Sequence, residues 1–399
     1  MTIYKKVTLL LFVFYPLTVS AQDKEKFSVT WNRNIETYFL AELFAVDYRR
    51  TNRSFEEYKR SECRKYQPLI EQTLTRFGYL KTSKIAKLTA LLNDTLVYYG
   101  IGNDVMMAPL LYQKEFPSND FRSGYKFENN HLSAASQLII CSIIKKYIKE
   151  LRSFYTSQNI QQLFKGYQKY YAGAIREVRN IIPPGCTAAM ERFYGEKRLS
   201  YTALVSPMMM WPIEDNEGRG IGASVQVPAG TRVFEIMSPY VRVDSNKQID
   251  NYLSYGYNYK PRAILLTIHE FGHSFVNKDV IKYGDRIKKT DSLFVNSKLK
   301  AGMDSKGVQS WEVYIIESIV RLGEIRVAEL QNDKKRANDL RKYHIDVEHF
   351  IYLPLLEEKI KLYESDRKKY AKLANFLPEL LTVFENTDIE FINKQLIAQ

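Results

Sequence analysis

The run His269-Glu270-Phe271-Gly272-His273 places two imidazoles four residues apart, with a carboxylate beside the first. On a helix, positions i and i+4 lie one above the other on the same face, so both rings can reach one metal ion while Glu270 sits beside the activated water. The rest of the fold must then supply a further ligand, because zinc in a hydrolytic site is commonly held by three side chains with the fourth position open. A third imidazole six residues after the second is excluded, since Asp279 stands there and the next histidine is His344. That points to a carboxylate on a later helix. Glu317 lies within Tyr314-Ile315-Ile316-Glu317-Ser318-Ile319-Val320, an apolar setting in which an unpaired carboxylate is expensive and a cation would remove the cost. Glu312, Glu324 and Asp304 are the other candidates, and the plain alternative is an ordinary helix ion pair between Glu317 and Arg321.

Around these ligands, Arg321, Glu324, Asn277 and Ser274 fall on turns from which they could reach a ligand's outer atoms. Glu270 would accept a proton from the zinc-activated water and deliver it to the leaving amine after attack on the carbonyl. His344, His349, Tyr314 and Tyr352 are unranked candidates for a second oxyanion donor, each equally readable as a structural residue.

The pattern along the chain is α+β and mainly α-helical. Residues 36–48, 133–155 and 159–182 carry apolar positions three and four apart, as helices do, and Pro183-Pro184-Gly185 ends the last of them. The stretch 101–122, with Pro109 and Pro117, reads as an irregular connection. After Leu199 the rhythm changes: 201–205, 221–227 and 231–237 are short β-branched or aromatic runs separated by proline and glycine, which predicts three strands. Helices are expected from Lys260 through the histidine motif and over 309–330, then charged helical sequence broken at Pro354 and Pro378. Met208-Met209-Met210-Trp211 reads as core or pocket wall. The expected organisation is a signal peptide over 1–21, an N-terminal helical region over 22–198 and a metal-binding core with C-terminal helices over 199–399.

Lys5 and Lys6, an apolar stretch from Val7 to Val19 and the small residues Ser20 and Ala21 predict a cleaved secretory signal. The expected location is therefore secreted or periplasmic, and no later apolar run approaches the ~20 residues that span a bilayer. The formal net charge of +13 is spread along the chain. Its densest cluster, Lys334-Lys335-Arg336 with Arg341 and Lys342, alternates with polar helix formers as a solvated face would, so nucleic acid is not an expected partner. Cys63, Cys141 and Cys186 are too few for a disulfide framework, and Cys141 sits in an apolar segment as a buried structural thiol would.

With His269, Glu270, His273 and a downstream helical Glu317, the chain resembles the gluzincin-type zinc metallopeptidases. The resemblance implies a zincin-like fold, with a small sheet packed on the active-site helix and a glutamate supplied by a following helix. It implies zinc as the cofactor and a peptide or protein as the substrate. Substrate backbone would align antiparallel to an edge strand, 221–227 or 231–237 by order along the chain. The offset of 44 positions from His273 to Glu317 departs from the better-known gluzincins. Trp211-Pro212, Gly220-Ile221-Gly222, His269 to Asn277 and Glu317 to Arg321 also resemble a family of secreted bacterial proteins of unknown function, over about residues 30 to 340. Two other readings stand beside the peptidase. One is a non-proteolytic zinc hydrolase or degenerate enzyme, and the other is a helical binding module for a glycan or protein.

Overall fold

The computed structural model describes residues 26–129, 132–245, 251–304 and 306–397. The expected signal segment, 1–21, lies outside them. The three expected runs form strands, and a fourth precedes them: β1 (Phe27–Thr30), β2 (Ser200–Val205), β3 (Gly220–Val227) and β4 (Gly230–Met237). They make one mixed sheet in the order β1-β2-β4-β3, with β1, β2 and β4 parallel and β3 antiparallel to β4. Of the two runs weighed as the edge, 231–237 is therefore interior and 221–227 lies at the edge.

Alternation along the strands divides the side chains between two cores. Tyr201, Ala203, Val205, Val233 and Met237 face one, while Leu204, Ile236 and Ile221 face the other. The second core is built from the N-terminal helices, among them Arg33–Ala45 and Ala134–Ser157. The first contains two long helices that carry the candidate ligands. The motif helix, Lys260–Ile281, begins with Pro261 in its first turn, where a missing N–H costs nothing. The glutamate helix, Trp311–Leu330, is capped by Ser310, whose Oγ accepts from the Val313 N–H. A Cβ on Gly272 or Gly323 would lie 3.1 or 2.1 Å from the Tyr194 hydroxyl, so the two glycines admit Tyr194 between the helices. There it stacks on Phe275 at 4.4 Å.

Several expectations need correction. The segment 159–182 is two helices, Ile160–Gly166 and Gln168–Ile181, because Tyr167 leaves helical geometry to bury its ring and place its hydroxyl 3.1 Å from Thr73. The segment 101–122 holds helical turns at Asn103–Met106 and Met107–Tyr112, fixed by burial of Met106, Met107 and Leu110. Pro378 sits inside the helix Leu373–Glu385 and does not end it. Cys141 is only partly buried, whereas Cys63 and Cys186 are buried, and burial pushes each of those two thiols up to about 12. Met208, Met209 and Met210 are core residues. Among the described residues, no helix is long and apolar enough to cross a membrane.

Candidate metal centre

His269 and His273 occupy successive turns of the motif helix, and their Nε2 atoms approach to 3.1 Å. Glu317 arrives from the glutamate helix with Oε2 3.5 Å from His269 Nε2 and Oε1 3.5 Å from His273 Nε2. All three are partly buried, and together they could hold a metal ion. The spacing can be tested against the ion. Tetrahedral zinc with bonds of about 2.0–2.1 Å sets its ligand atoms about 3.3–3.4 Å apart; the two Nε2 atoms stand slightly closer than that, and each lies slightly farther than that from a different Glu317 oxygen, so the carboxylate faces both rings at once.

The outer ring atoms fix which nitrogen faces the centre. His269 Nδ1 lies 2.8 Å from Glu324 Oε1, and His273 Nδ1 lies 2.9 Å from Asn277 Oδ1. Carboxylate and amide oxygens only accept, so both Nδ1 atoms donate, and each neutral ring then turns an Nε2 lone pair inward. Two lone pairs 3.1 Å apart repel unless a cation or proton stands between them. Glu324 extends the chain one step further, since its Oε2 accepts from His344 Nε2 at 2.9 Å. Both residues are almost wholly buried. His344 rides on a single turn of π-helix, Tyr343–Val347, the kind of local irregularity often found at functional sites.

Charge follows the same pattern. Burial works against ionising Glu317, yet His273, Arg321 and His269 hold its carboxyl down at about 2. Burial likewise opposes the Glu324 charge, and His344 and His269 more than reverse it, so that carboxyl is held well below the usual range. His269 is drawn the other way: burial favours the neutral ring, but Glu317 and Glu324 raise its affinity for a proton. A divalent cation would satisfy the same excess of negative charge. The ion pair between Glu317 and Arg321 is also present, so that alternative coexists with the cluster. Arg321 further lies over the Phe350 ring at 3.9 Å and meets Glu348 at 3.4 Å.

Glu270, one residue beyond His269, lies against the edge strand. A Cβ on Gly220 would fall 2.4 Å from Glu270 Oε1, and one on Gly222 would fall 2.8 Å from its backbone oxygen and 3.0 Å from Oε2. Only glycine at both positions lets the strand and the carboxylate come this close. The segment that leads into that strand is tied to its surroundings from several sides. Gln67 donates to the Trp211 carbonyl at 2.8 Å, Arg242 to that of Ile213 at 2.8 Å and Arg262 to that of Gly218 at 2.7 Å. Arg219 donates to Asn103 at 3.1 Å. Gln67 and Asn103 belong to the N-terminal helical region, which thus helps set the wall beside Glu270.

The other candidates sit elsewhere. Glu312 turns toward Gly284, Asp304 pairs with Lys300 at 2.7 Å, and the Ser274 hydroxyl donates to the Phe271 carbonyl at 2.7 Å. Tyr314 donates to the His349 carbonyl at 3.2 Å, Tyr352 meets Thr387 at 2.7 Å, and His344 is shielded behind Glu324. These three do not face an open cleft, and His349 lies beside Gly302. Sequence reasoning missed the Glu324–His344 contact, the paired glycines facing Glu270 and the buried Glu235. The Gly-Ile-Gly spacing, which puts two glycines on one face of a strand, was the one available signal.

A model of one protein family matches residues 51–383, a span that includes both ligand-bearing helices and three of the four strands. No curated protein and no solved structure matches the chain. The family's description assigns no activity, and the match covers most of the sequence: the chain belongs to the family described as Domain of unknown function (DUF4932).

Proposed function

We propose that this protein is a zinc-dependent peptidase with a zincin-like core, in which His269, His273 and Glu317 hold the ion and Glu270 is the general base. The observation that carries the proposal is the convergence of two Nε2 lone pairs and one carboxylate within 3.1–3.5 Å of one another, with Glu270, next to His269 on the motif helix, resting against the edge strand. A purely structural zinc site uses four protein ligands and has no need of an adjacent base. When bound, zinc supplies Lewis-acid polarisation and acidifies a water molecule.

The chain's own residues do the rest. Glu324 and Asn277 keep both histidines in the ligating tautomer, and Arg321 holds the Glu317 carboxylate in place. Glu270 takes the proton from the attacking water and returns it to the leaving nitrogen. The outer edge of β3, which pairs with no other strand among the described residues, offers backbone groups along which an extended peptide could lie. The test is digestion of a mixed peptide library by the metal-loaded protein. Hydrolysis that a chelator stops, and that Glu270→Gln abolishes while the metal stays bound, supports the proposal. A fully loaded wild type that cleaves no peptide would overturn it and favour another amide or ester.

A further inference from the structure

Glu235 lies in the middle of β4 with no solvent exposure, and neither carboxyl oxygen has a hydrogen-bond partner among the described residues. It shares a strand face with Val233 and Met237, the face that looks toward the motif helix. Across the sheet its register partner is Gly222, whose missing side chain leaves the space occupied by Glu270. Cross-strand partners point to the same side of a sheet, so the two carboxyls are neighbours. Thr267, one turn before Glu270, is also fully buried, and its hydroxyl faces Glu235 without reaching full hydrogen-bond geometry. The titratable groups that act on Glu235 are Glu270 from the motif helix, Cys186 from the helix Cys186–Tyr194 and Tyr240 just after β4. All three are acids. Among the described residues, no cation is found acting on Glu235.

We infer that Glu235 is held as a neutral carboxylic acid and acts as a positioning residue for Glu270. An anion in its place would drive the Glu270 carboxylate off the floor formed by Gly220 and Gly222, whereas an uncharged acid lets that carboxylate rest there. Burial, reinforced by the neighbouring Glu270, drives Glu235 toward its protonated form. The positioning role rests on the reading of Glu270 as a base; the neutral state of Glu235 does not.

The experiment is difference infrared spectroscopy of the whole protein across a pH series, in a Glu36→Gln background that silences the other buried acid, raised to about 7, with wild-type Glu235 and Glu270, with Glu235→Gln and with Glu270→Gln. The expected result is a protonated-carboxyl carbonyl band at neutral pH that is lost in Glu235→Gln. In Glu270→Gln the midpoint at which that band disappears should move to lower pH, because a like charge has been removed. A neutral-pH band unaffected by Glu235→Gln would overturn the inference, and so would a midpoint that Glu270→Gln leaves unmoved. If Glu235→Gln does not fold, the comparison with and without Glu270→Gln decides alone, since a buried acid with no tie to Glu270 would not respond to it. Neither substrate nor metal is required, so failure of the peptidase proposal would leave this result standing.

Discussion

Replacing Glu324 should weaken metal binding without touching a ligand. Its carboxylate accepts from His269 Nδ1 at 2.8 Å and from His344 Nε2 at 2.9 Å, so Glu324→Ala strands two buried ring nitrogens and frees His269 to move its proton to Nε2, the wrong atom for ligation. Loss of such an outer partner typically costs about 10–100-fold in affinity, or about 1.4–2.8 kcal/mol. Glu324→Gln is milder for a reason visible in the structure. The amide oxygen can still accept from His269, and its NH₂ can meet His344 if that ring moves its proton to Nδ1, which has no partner to lose. Only the charge is then removed, and a loss near the lower end, about tenfold, is expected. Zinc affinities measured by competition with a chromophoric chelator should fall in the order wild type, Glu324→Gln, Glu324→Ala. Equal affinities for wild type and Glu324→Ala would refute the claim that Glu324 sets the tautomer.

Two further outcomes follow from packing and titration. Gly222→Ala sets a Cβ 2.8 Å from the Glu270 backbone oxygen, whereas Gly220→Ala meets only the Glu270 side chain; the first should lower the unfolding midpoint by an amount equivalent to about 1–3 kcal/mol and the second by clearly less, as thermal melts would show. Glu36, wholly buried beneath Ser206 and Tyr171, is raised to about 7 by burial against its hydrogen bonds, so its contribution to stability is full below about 4.5 and lost as pH rises through about 7, on the order of 3 kcal/mol in all. Denaturant unfolding between pH 5 and 8 should therefore show a steeper fall for wild type than for Glu36→Gln; parallel curves would contradict the assignment.

What could be read from the sequence depended on local pattern. Strands β2, β3 and β4, the start of the motif helix and both ends of the glutamate helix fall close to their expected limits because alternation, helical spacing and Pro261 are all local signals. Glu317 was reachable because a lone acid in an apolar helix needs a partner. β1 was not, since four residues become a strand only by pairing with β2 from far along the chain. Glu235 sits in a sheet covered on both faces, and nothing in Val233-Phe234-Glu235-Ile236-Met237 says which face its carboxyl joins. His344 was legible as a histidine but not as the partner of Glu324, twenty residues earlier, because the contact depends on the π-helical turn that carries it.

Zinc per chain, measured by elemental analysis on the purified protein and on Glu317→Ala, tests the three-ligand centre most directly. The account expects near-stoichiometric zinc in the wild type and a sharp loss in a folded Glu317→Ala, where the two imidazoles alone remain. A folded wild type that takes up no zinc on reconstitution, or a variant that keeps it fully, would contradict the account.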